Sequence, residues 1–475
     1  MIEAPAQQAD PQAAARADWA GRAVAVVGAG RTGASVARFL VAAGARVSVT
    51  DSRIAPAALE ALPRAGDLAG LALGGLDPDM LTAAELVVVS PGVPLSDPSV
   101  RAAAAAGAEI VGDVELFGRY APAPVVAITG SNGKSTVTTL VGDMLAAAGW
   151  SAPVGGNLGT PVLDLLAEPE ADAYVVEVSS FQAEALARFR PRVAAVLNLS
   201  ADHLDRYPDE AAYFDAKWRL LGNMGAGDTA VLGADDPEVR RRAQRLEESV
   251  GTAWFGLGPP APGGAGMVER DGAPWFALGT PSGPEPVLAV ADWPLVGLPN
   301  RANALAALAA GAALGLATPA MAAALRGFRG LAHRMEPVAE IAGVRYVNDS
   351  KGTNVGAVRA ALEGLTEPFV WIAGGVNKGG DFAALAPVLA ARCRKAVLIG
   401  EAADDIAAAV GEAVPVVRAR NMDQAVARAR ETARPGDAVV LSPGCTSFDQ
   451  YPNFEARGAD FRRAVMASEP DRAQH

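Results

Sequence analysis

The stretch ITGSNGKST, from Ile128 to Thr136, follows the apolar run VVA at 125–127 and precedes a helical pattern. Glycines and Lys-Ser-Thr between a strand and a helix predict a loop whose backbone amides bind phosphate. The common phosphate loop has a glycine five positions before Gly133, where this chain has Ile128, and the available glycine is Gly130. The pattern therefore predicts a nucleotide triphosphate site with a shortened loop. The alternative is a polar helix cap with an accidental lysine.

Two side chains of this loop have predicted roles. Lys134 can reach phosphate oxygens, and the Ser135 hydroxyl can bind Mg²⁺. The whole predicted nucleotide-binding loop consists of Gly130, Ser131, Asn132, Gly133, Lys134, Ser135 and Thr136.

Composition excludes some classes of partner. The chain has 475 residues and a net charge of −12, and its pI near 4.9 argues against nucleic acid as a partner. Two cysteines make neither a disulfide framework nor a metal cluster, and a reducing cytoplasm is the expected location. The first 18 residues lack the apolar core of a signal peptide and are expected to form a flexible tail. No apolar stretch is long enough to predict a membrane span.

Short β-branched runs alternate with helical patterns along the chain, which predicts an α/β protein with parallel sheets. Length suggests about three domains. Breaks near RYAPAPVV and LRGFRGLAHRMEP place the domains at 1–122, 123–329 and 330–475. An alanine-rich helix is expected from about Asn303 to Leu316, with a second one ending at Leu325. The loop-rich segment after Phe255 is expected to form hairpins.

A second glycine-rich turn, GAGRTG, runs from Gly28 to Gly33, and Asp51 ends the next strand 18 residues after Gly33. Such glycines let the backbone approach a pyrophosphate, and the acid can bind a ribose hydroxyl. Taken alone, the turn predicts a diphosphate ligand such as NAD, or simply a tight turn.

Three further residues stand out near strand ends or in helices. Glu177 ends the apolar run YVVE, where a buried acid is costly unless it binds something, although a solvated turn or a helix cap would also place an acid there. His203, beside Asp202 and Asp205, is a candidate metal ligand, although most lone histidines are structural. The helical position of Lys217 by itself indicates a surface lysine.

Nine motifs together resemble one family. ITGSNGKST, VGGNLG, EVSSFQ, NLSADHLDRYP and YFDAKWRLL are similar, in this order, to the central domain of the Mur ligase family. GLAHRME, VNDSKGTNVGA, GGVNKGGDF and LSPGCTSFDQYPNFEARG are similar to its C-terminal domain. On this resemblance the shortened loop is the family's own phosphate loop.

The resemblance implies three α/β domains, which are Rossmann-like, P-loop-type and again Rossmann-like. It implies an ATP-dependent ligase of peptidoglycan precursor synthesis that adds D-glutamate to UDP-N-acetylmuramoyl-L-alanine through an acyl phosphate. The implied partners are these two substrates, ATP and two Mg²⁺, and a monomer without a membrane span is expected.

The resemblance also assigns roles to single residues. Lys134, His203 and Lys217 would be catalytic, Ser135 and Glu177 would hold one Mg²⁺, and His203 would help to hold the second. Lys217 would carry a carbamate that shares the second metal. Residues expected near adenine, ribose and phosphates are Asn303, Arg334, Asp349 and Lys351. Residues expected around the amino acid are Thr353, Lys378, Ser447, Phe448 and Phe454. Residues expected to hold the UDP-linked substrate are Gly28, Gly30, Arg31, Thr32, Gly33, Asp51, Ser52, Arg53 and Asn157.

Two positions depart from the family pattern. Pro299 stands where a histidine is expected, and Val376 stands where an acid is common. Three other functions remain open: a sister ligase that adds another amino acid, a nicotinamide-dependent oxidoreductase that uses the Gly28–Gly33 turn, and a non-catalytic nucleotide sensor.

Overall fold

The computed structural model of the protein describes residues 10–168, 170–204, 206–295 and 297–467. Its described residues form three sheets, and the predicted α/β class is confirmed. The chain divides into two compact units. One unit runs to Leu199 and includes Phe214–Asp292 and Asn303–Gly327. The other comprises Ser200–Tyr213, Trp293–Ala302 and the chain from Phe328 onward.

The first sheet has the strand order β3-β2-β1-β4-β5, and all neighbouring strands are parallel. Its apolar strands are covered by helices, as expected for a parallel sheet. The strands are β1 (Ala23–Val27), β2 (Arg46–Asp51), β3 (Gly70–Leu73), β4 (Leu86–Val89) and β5 (Glu109–Val111). The helices are α1 (Pro11–Trp19), α2 (Arg31–Ala42), α3 (Pro78–Thr82), α4 (Pro98–Ala105) and α5 (Asp113–Tyr120).

The prediction of a flexible N-terminal tail is wrong for residues 11–18. These residues belong to α1, a helix that packs against α2 and α5. Asp10 caps this helix by accepting the N–H of Gln12, and Pro11 occupies the first turn. The Trp19 side chain is buried, and its Nε1 donates to the Tyr120 hydroxyl at 2.5 Å. Residues 1–9, the rest of the expected tail, lie outside the described residues.

The central sheet has the order β14-β13-β12-β11-β10-β9-β6-β8-β7. It is parallel from β7 to β12 and ends in the antiparallel strands β13 and β14, so the predicted hairpins are confirmed. The strands are β6 (Val125–Thr129), β7 (Val154–Gly156), β8 (Tyr174–Glu177), β9 (Val193–Val196), β10 (Thr229–Gly233), β11 (Gly251–Phe255), β12 (Ala265–Arg270), β13 (Ala273–Thr280) and β14 (Gly283–Ala289). The helices are α6 (Lys134–Ala147), α7 (Ser180–Ala183), α8 (Glu210–Trp218), α9 (Pro237–Ala243), α10 (Leu298–Ala313) and α11 (Thr318–Gly327).

The third sheet has the order β15-β16-β20-β17-β18-β19, with β15 as an antiparallel edge strand. Its two faces are covered by separate apolar clusters, one around Trp371 and one around Phe461. The strands are β15 (Glu336–Ile341), β16 (Val344–Asn348), β17 (Phe369–Gly374), β18 (Cys393–Ile399), β19 (Val416–Arg418) and β20 (Ala438–Leu441). The helices are α12 (Val355–Glu363), α13 (Ala386–Arg392), α14 (Ala403–Val410), α15 (Met422–Thr432) and α16 (Phe454–Met466).

Helix α10 begins at Leu298, about a turn before the expected start, because Pro299 fits the first turn of a helix. Among the described residues, no helix has the length and apolar character needed to cross a membrane. The domain boundaries at 122/123 and 329/330 stay predictions.

Candidate active site

The loop at Gly130 to Thr136 lies at the carboxyl end of β6, with β8 on one side and β9 on the other. Ligands of open α/β sheets bind in the crevice at such an end. Gly130 has φ +152° and Gly133 has φ +85°, conformations that favour glycine. Gly133 caps α6, so the chain enters the helix at Lys134 with Ser135 and Thr136 buried in its first turn. The predicted loop therefore exposes a helix N-terminus, which favours anions.

Asn198, two residues beyond β9, fixes the loop and was not among the predicted site residues. Its Oδ1 accepts the N–H of Asn132 at 2.8 Å, and its Nδ2 donates to the Asn132 carbonyl at 3.1 Å. Its backbone carbonyl accepts the N–H of Ser131 at 2.9 Å. An asparagine shortly after an apolar strand was the available sequence signal, but its partner Asn132 lies 66 residues away in the chain.

Two lysines meet on one backbone oxygen. Lys134 Nζ donates to the Gly130 carbonyl at 2.8 Å and to the Ser131 carbonyl at 3.0 Å. Lys217 Nζ donates to the same Gly130 carbonyl at 2.9 Å, and the Lys217 side chain is 1% exposed. The surface interpretation of Lys217 is therefore wrong, because α8 turns this lysine towards the phosphate loop.

Glu177 ends β8 opposite Ile128 of β6, so it lies at the same sheet edge as the loop. The side chain is 2% exposed, and its Oε1 accepts Asn157 Nδ2 at 2.5 Å. Within the described residues, Glu177 Oε2 is buried and has no hydrogen-bond partner. A buried carboxylate oxygen without a partner is costly, which indicates that it binds a cation or a ligand.

The donor set fits a hard cation. Glu177 offers a carboxylate oxygen and Ser135 a buried hydroxyl, and Mg²⁺ prefers such ligands together with phosphates and water. No group of three or more His, Cys, Asp or Glu that could hold a metal occurs in the part of the chain that the structure describes. Mg²⁺ is commonly held by one or two protein side chains, with substrate phosphates and water as its other ligands.

Asn303 of α10 lies against the loop. A Cβ atom added to Gly133 would collide with the Asn303 Oδ1, so the glycine is needed for this close approach. The structure thus brings together Lys134, Ser135 and Asn303 at the loop, with Glu177 and Lys217 beside it.

The first glycine turn borders a separate cavity of about 590 Å³. Eight of the nine residues predicted for the UDP-linked substrate line it: Gly28, Gly30, Arg31, Thr32, Asp51, Ser52, Arg53 and Asn157. The ninth, Gly33, is not among the lining residues. It allows α2 to pack closely, since a Cβ there would collide with the Gly28 carbonyl. The cavity also includes Gln182, which follows β8.

Asp51 holds the first turn together from the end of β2. Its Oδ2 accepts the N–H of Ala29 at 2.7 Å and Arg53 Nη2 at 2.7 Å, and its Oδ1 accepts the N–H and Nε of Arg53. The hydrogen bonds from the Arg53 side chain lower the pKa of Asp51 to about 2. Asp51 thus carries a negative charge at neutral pH and orients the guanidinium of Arg53, which lines this cavity together with Arg31.

In the other unit, three predicted nucleotide contacts lie at the end of β16. Asp349 accepts Ser442 Oγ at 2.7 Å and the Met335 N–H at 3.2 Å. Burial raises the pKa of Asp349 to about 7, while the nearby charge of Arg334 acts in the opposite direction. Lys351 Nζ lies 3.8 Å from the ring centroid of Phe454, a cation–π contact.

The residues predicted for the amino acid are only partly gathered. Thr353 and Lys378 line one cavity of about 450 Å³. Ser447 is buried after β20, Phe448 is 72% exposed, and Phe454 begins α16. These three are not among the residues that line the cavity.

His203 belongs to this second unit and has a left-handed backbone, with φ 56°. Its Nε2 is 3.7 Å from Asp202 Oδ2. Asp205 lies outside the described residues. The predicted role of His203 as a metal ligand stays a prediction.

Arg457 was not predicted from the sequence. Its buried guanidinium donates to the carbonyl oxygens of Ser350, Gly374, Cys445 and Thr446 and to Ser350 Oγ. These acceptors lie at the carboxyl ends of β16, β17 and β20, so one side chain joins the three loops that border the sheet edge. Burial lowers the pKa of Arg457 to about 10, and the group stays charged at neutral pH. Val376 pairs through its backbone with Thr446, a contact that requires no acidic side chain.

Three family models match the chain in order. Residues 22–112 match the Mur ligase MurD-like N-terminal domain, residues 128–311 the Mur ligase middle domain, and residues 333–445 the Mur ligase glutamate ligase domain.

Curated relatives match over nearly the whole length. A UDP-N-acetylmuramoylalanine–D-glutamate ligase from Nitrosococcus oceani is 48% identical, over 93% of this chain and 95% of the relative. Proteins of the same name from Pseudomonas aeruginosa and Marinobacter nauticus are 46% and 44% identical. The alignments cover 93% and 94% of this chain, and 97% and 98% of those proteins.

Solved structures share the fold at low identity. A pseudomurein peptide ligase type C from Methanothermus fervidus has a TM-score of 0.61 and 19% identity, covering 94% of this chain and 100% of that one. The UDP-N-acetylmuramate-alanine ligase MurC from Thermotoga maritima has a TM-score of 0.59 and 18% identity, with the same two coverages. The family models, the identities and the shared fold agree, and the chain belongs to the Mur ligase family.

Proposed function

We propose that this protein is an ATP-dependent ligase that joins D-glutamate to UDP-N-acetylmuramoyl-L-alanine in peptidoglycan precursor synthesis. Relatives of that name at 44–48% identity over more than nine tenths of the chain support the choice of substrates. The convergence of two lysines on the Gly130 carbonyl, beside a buried carboxylate, carries the proposal of phosphoryl chemistry. In this proposal the reaction takes place in the cytoplasm, where ATP and UDP-linked precursors are available. The monomeric state stays a prediction.

The phosphate loop holds ATP in this proposal. Amides at the start of α6 bind the phosphates, and Lys134 exchanges its contacts with the loop carbonyls for the phosphoryl group in transfer. Ser135 and Glu177 would hold Mg²⁺, which when bound would neutralise phosphate charge and lower the barrier to transfer. Asn303, which lies beside Gly133, contacts the nucleotide in this proposal.

The first cavity holds the UDP end of the second substrate. Arg53, oriented by Asp51, pairs with the diphosphate, and the Gly28–Gly33 turn lets the backbone approach it. The terminal alanyl carboxylate accepts the γ-phosphoryl group of ATP as the bond to the β-phosphate breaks, which gives an acyl phosphate and releases ADP. The amine of D-glutamate then attacks the carbonyl carbon, the C–O bond to phosphate breaks, and phosphate leaves as the amide loses a proton.

Lys217 carries a carbamate in this proposal. Lys134 and Lys217 donate to one oxygen at 2.8 and 2.9 Å, so their nitrogens are at most 5.7 Å apart. Two cations at about 5 Å repel each other by roughly 3 kcal/mol at an effective dielectric near 20. A carbamate replaces the positive charge of Lys217 with a negative one and keeps one N–H on Nζ, so the bond to Gly130 survives the modification.

Phosphate release tests the proposed function. We expect release to require ATP, UDP-N-acetylmuramoyl-L-alanine and D-glutamate together, and no release when D-glutamate is replaced by L-lysine or meso-diaminopimelate. Turnover with one of those amino acids and none with D-glutamate would assign a sister ligase. ATP hydrolysis that ignores both substrates would support a different function.

A further inference from the structure

The cavity that contains Lys378 already holds a carboxylate of the protein. It is lined by the start of α12, by the loop after β17, and by Ser200, Ala201, Asp202, Leu204 and Glu210. Asp202, whose side chain is 8% exposed, places Oδ1 2.8 Å from Lys378 Nζ. Its Oδ2 accepts Asn354 Nδ2 at 2.9 Å. A carboxylate is therefore bound by an ammonium and an amide inside the cavity.

Asn354 connects this carboxylate to a helix N-terminus. Its Oδ1 caps α12 by accepting the Ala357 N–H at 2.7 Å, while its Nδ2 faces Asp202. The positive end of α12 adds to the charge of Lys378. Thr353, adjacent to this cap, lines the same cavity. Lysine, amide and helix end together form a carboxylate receptor, and Asp202 shows that it accepts one.

The proposed amino-acid substrate needs the same receptor, because Lys378 and Thr353 are the two predicted amino-acid contacts that share this cavity. A substrate carboxylate placed about 4 Å from that of Asp202 would be repelled strongly at an effective dielectric near 20. Binding to Lys378 therefore favours the departure of Asp202.

We propose that Asp202 is an internal stand-in for the carboxylate of the amino-acid substrate, holding Lys378 and Asn354 in position until that carboxylate displaces it. This inference rests on the proposed function. It adds a specificity step, because a ligand without a carboxylate cannot replace Asp202 on Lys378. The exchange also releases the segment around His203, whose N–H donates to Asp202 Oδ1 at 2.9 Å and whose left-handed backbone is costly for a non-glycine residue.

Calorimetric titration with glutarate tests the exchange, because glutarate has the two carboxylates of glutamate and no amine. We expect Asp202→Asn and Asp202→Ala to bind glutarate about tenfold more tightly than the wild-type protein, since one charged hydrogen bond no longer competes. Two variants are used so that, if one of them misfolds, the other still tests the exchange. Thermal unfolding checks that each variant is folded.

Two controls separate this effect from general charge. Glu412 is exposed in the same unit and is not among the residues that line the cavity, so Glu412→Gln removes one negative charge away from the binding site, and we expect less than about a twofold change. In Lys378→Met, adding Asp202→Asn should produce no gain in glutarate binding. Unchanged or weaker binding of glutarate to both Asp202 variants would overturn the exchange. A gain that persists without Lys378 would also overturn it.

The two proposals fail separately. The proposed function is judged by wild-type turnover with D-glutamate, whereas the exchange is judged by the ratio of glutarate affinities between variant and wild type. Turnover with D-glutamate and no gain in the Asp202 variants would remove the exchange alone.

Discussion

The two glycine turns of the first unit share a backbone pattern and differ in the charges around them. In each, a buried strand ends, glycine takes a positive φ and a helix begins, at Gly28 after β1 and at Gly130 after β6. At the first turn, a carboxylate from the next strand binds the Ala29 amide and one arginine. At the second, two lysines bind the Gly130 carbonyl and a buried acid lies beside them.

The difference shows that glycines provide access to phosphate, while the neighbouring strand ends and helices decide the chemistry. Arg53, fixed by Asp51, is suited to hold a diphosphate that does not react. The second turn gathers the cations and the acid that a transferring phosphoryl group needs. We therefore expect substitutions of the charged groups at the second turn to affect turnover, and those at the first turn to affect binding.

The largest expected effect is at Lys217. We expect Lys217→Ala to lower kcat by about 10³-fold, because it removes the group beside the reacting phosphate. Formate or acetate should partly restore turnover, since a small carboxylate can enter the space left by the Lys217 side chain and supply the negative charge of the missing carbamate. Phosphate release with and without these acids measures both effects.

Lys217→Arg is the matched control, because arginine keeps a cation and cannot form the carbamate. We expect it to be inactive and not rescued. Near-normal turnover of Lys217→Ala at low CO₂ would contradict the carbamate role.

Substitution of Arg53 should have the next largest effect, and this effect should be limited to ligand binding at the first turn. We expect Arg53→Ala to weaken UDP binding about thirtyfold, the value of one charged hydrogen bond or slightly more, and to leave the KM for ATP unchanged. Calorimetry with UDP and with NAD measures the preference of this turn. Arg64→Ala, an exposed arginine that does not line the cavity, is the control. Tight NAD binding without UDP binding would favour an oxidoreductase.

Substitution of Asn198 tests whether ATP binding depends on the conformation of the second turn. Asn198→Ala removes two hydrogen bonds to Asn132. We expect the KM for ATP to rise about tenfold, at roughly 0.7 kcal/mol for each of the two bonds. Asn223 also makes two amide hydrogen bonds, to Ala187 and Phe189, away from the loop. If Asn223→Ala raised the KM as much, general destabilisation and not loop geometry would be the cause.

Short sequence patterns were sufficient to predict the strands, the glycine turns and the residues at strand ends. Glu177 was found because an acid at the end of an apolar strand is unusual whatever the tertiary fold. The three-domain α/β fold, confirmed at the level of fold class, followed from alternating patterns and the family resemblance. Residue roles assigned by resemblance stay predictions where geometry alone does not decide them.

Contacts between residues far apart in the chain could not be predicted from the sequence. The burial of Lys217 depends on packing of α8 against a loop 87 residues earlier, and helix periodicity showed no such partner. Asp202 and Lys378 are 176 residues apart, and no local signal joins them. The N-terminal helix was missed because its nine residues have little apolar pattern and are stabilised by packing of Trp19.

The smallest expected effect lies at Asp113, between the two turns. Its Oδ2 accepts Nε2 of Gln182, which lines the first cavity and completes the helix cap that follows Glu177. Burial raises the pKa of Asp113 to about 6 from an ordinary 3.8, and its Oδ1 has no hydrogen-bond partner among the described residues. Because the folded state binds this proton more tightly than the unfolded state, its contribution to stability falls as pH rises from about 4 to 6.

Asp113→Asn removes that titration. We expect the free energy of unfolding of the variant, relative to wild type, to increase by about 1–2 kcal/mol between pH 4 and pH 7.5, as measured by urea unfolding. Asp51→Asn is the matched control of opposite sign. The pKa of Asp51 is lowered to about 2, so its stabilisation is lost only below about pH 4 and its difference from wild type should be flat in this window. If the difference in free energy of unfolding between Asp113→Asn and wild type also stayed constant over this pH range, the Asp113 carboxyl would be charged in the folded protein. Gln182 would then donate its hydrogen bond to a carboxylate anion.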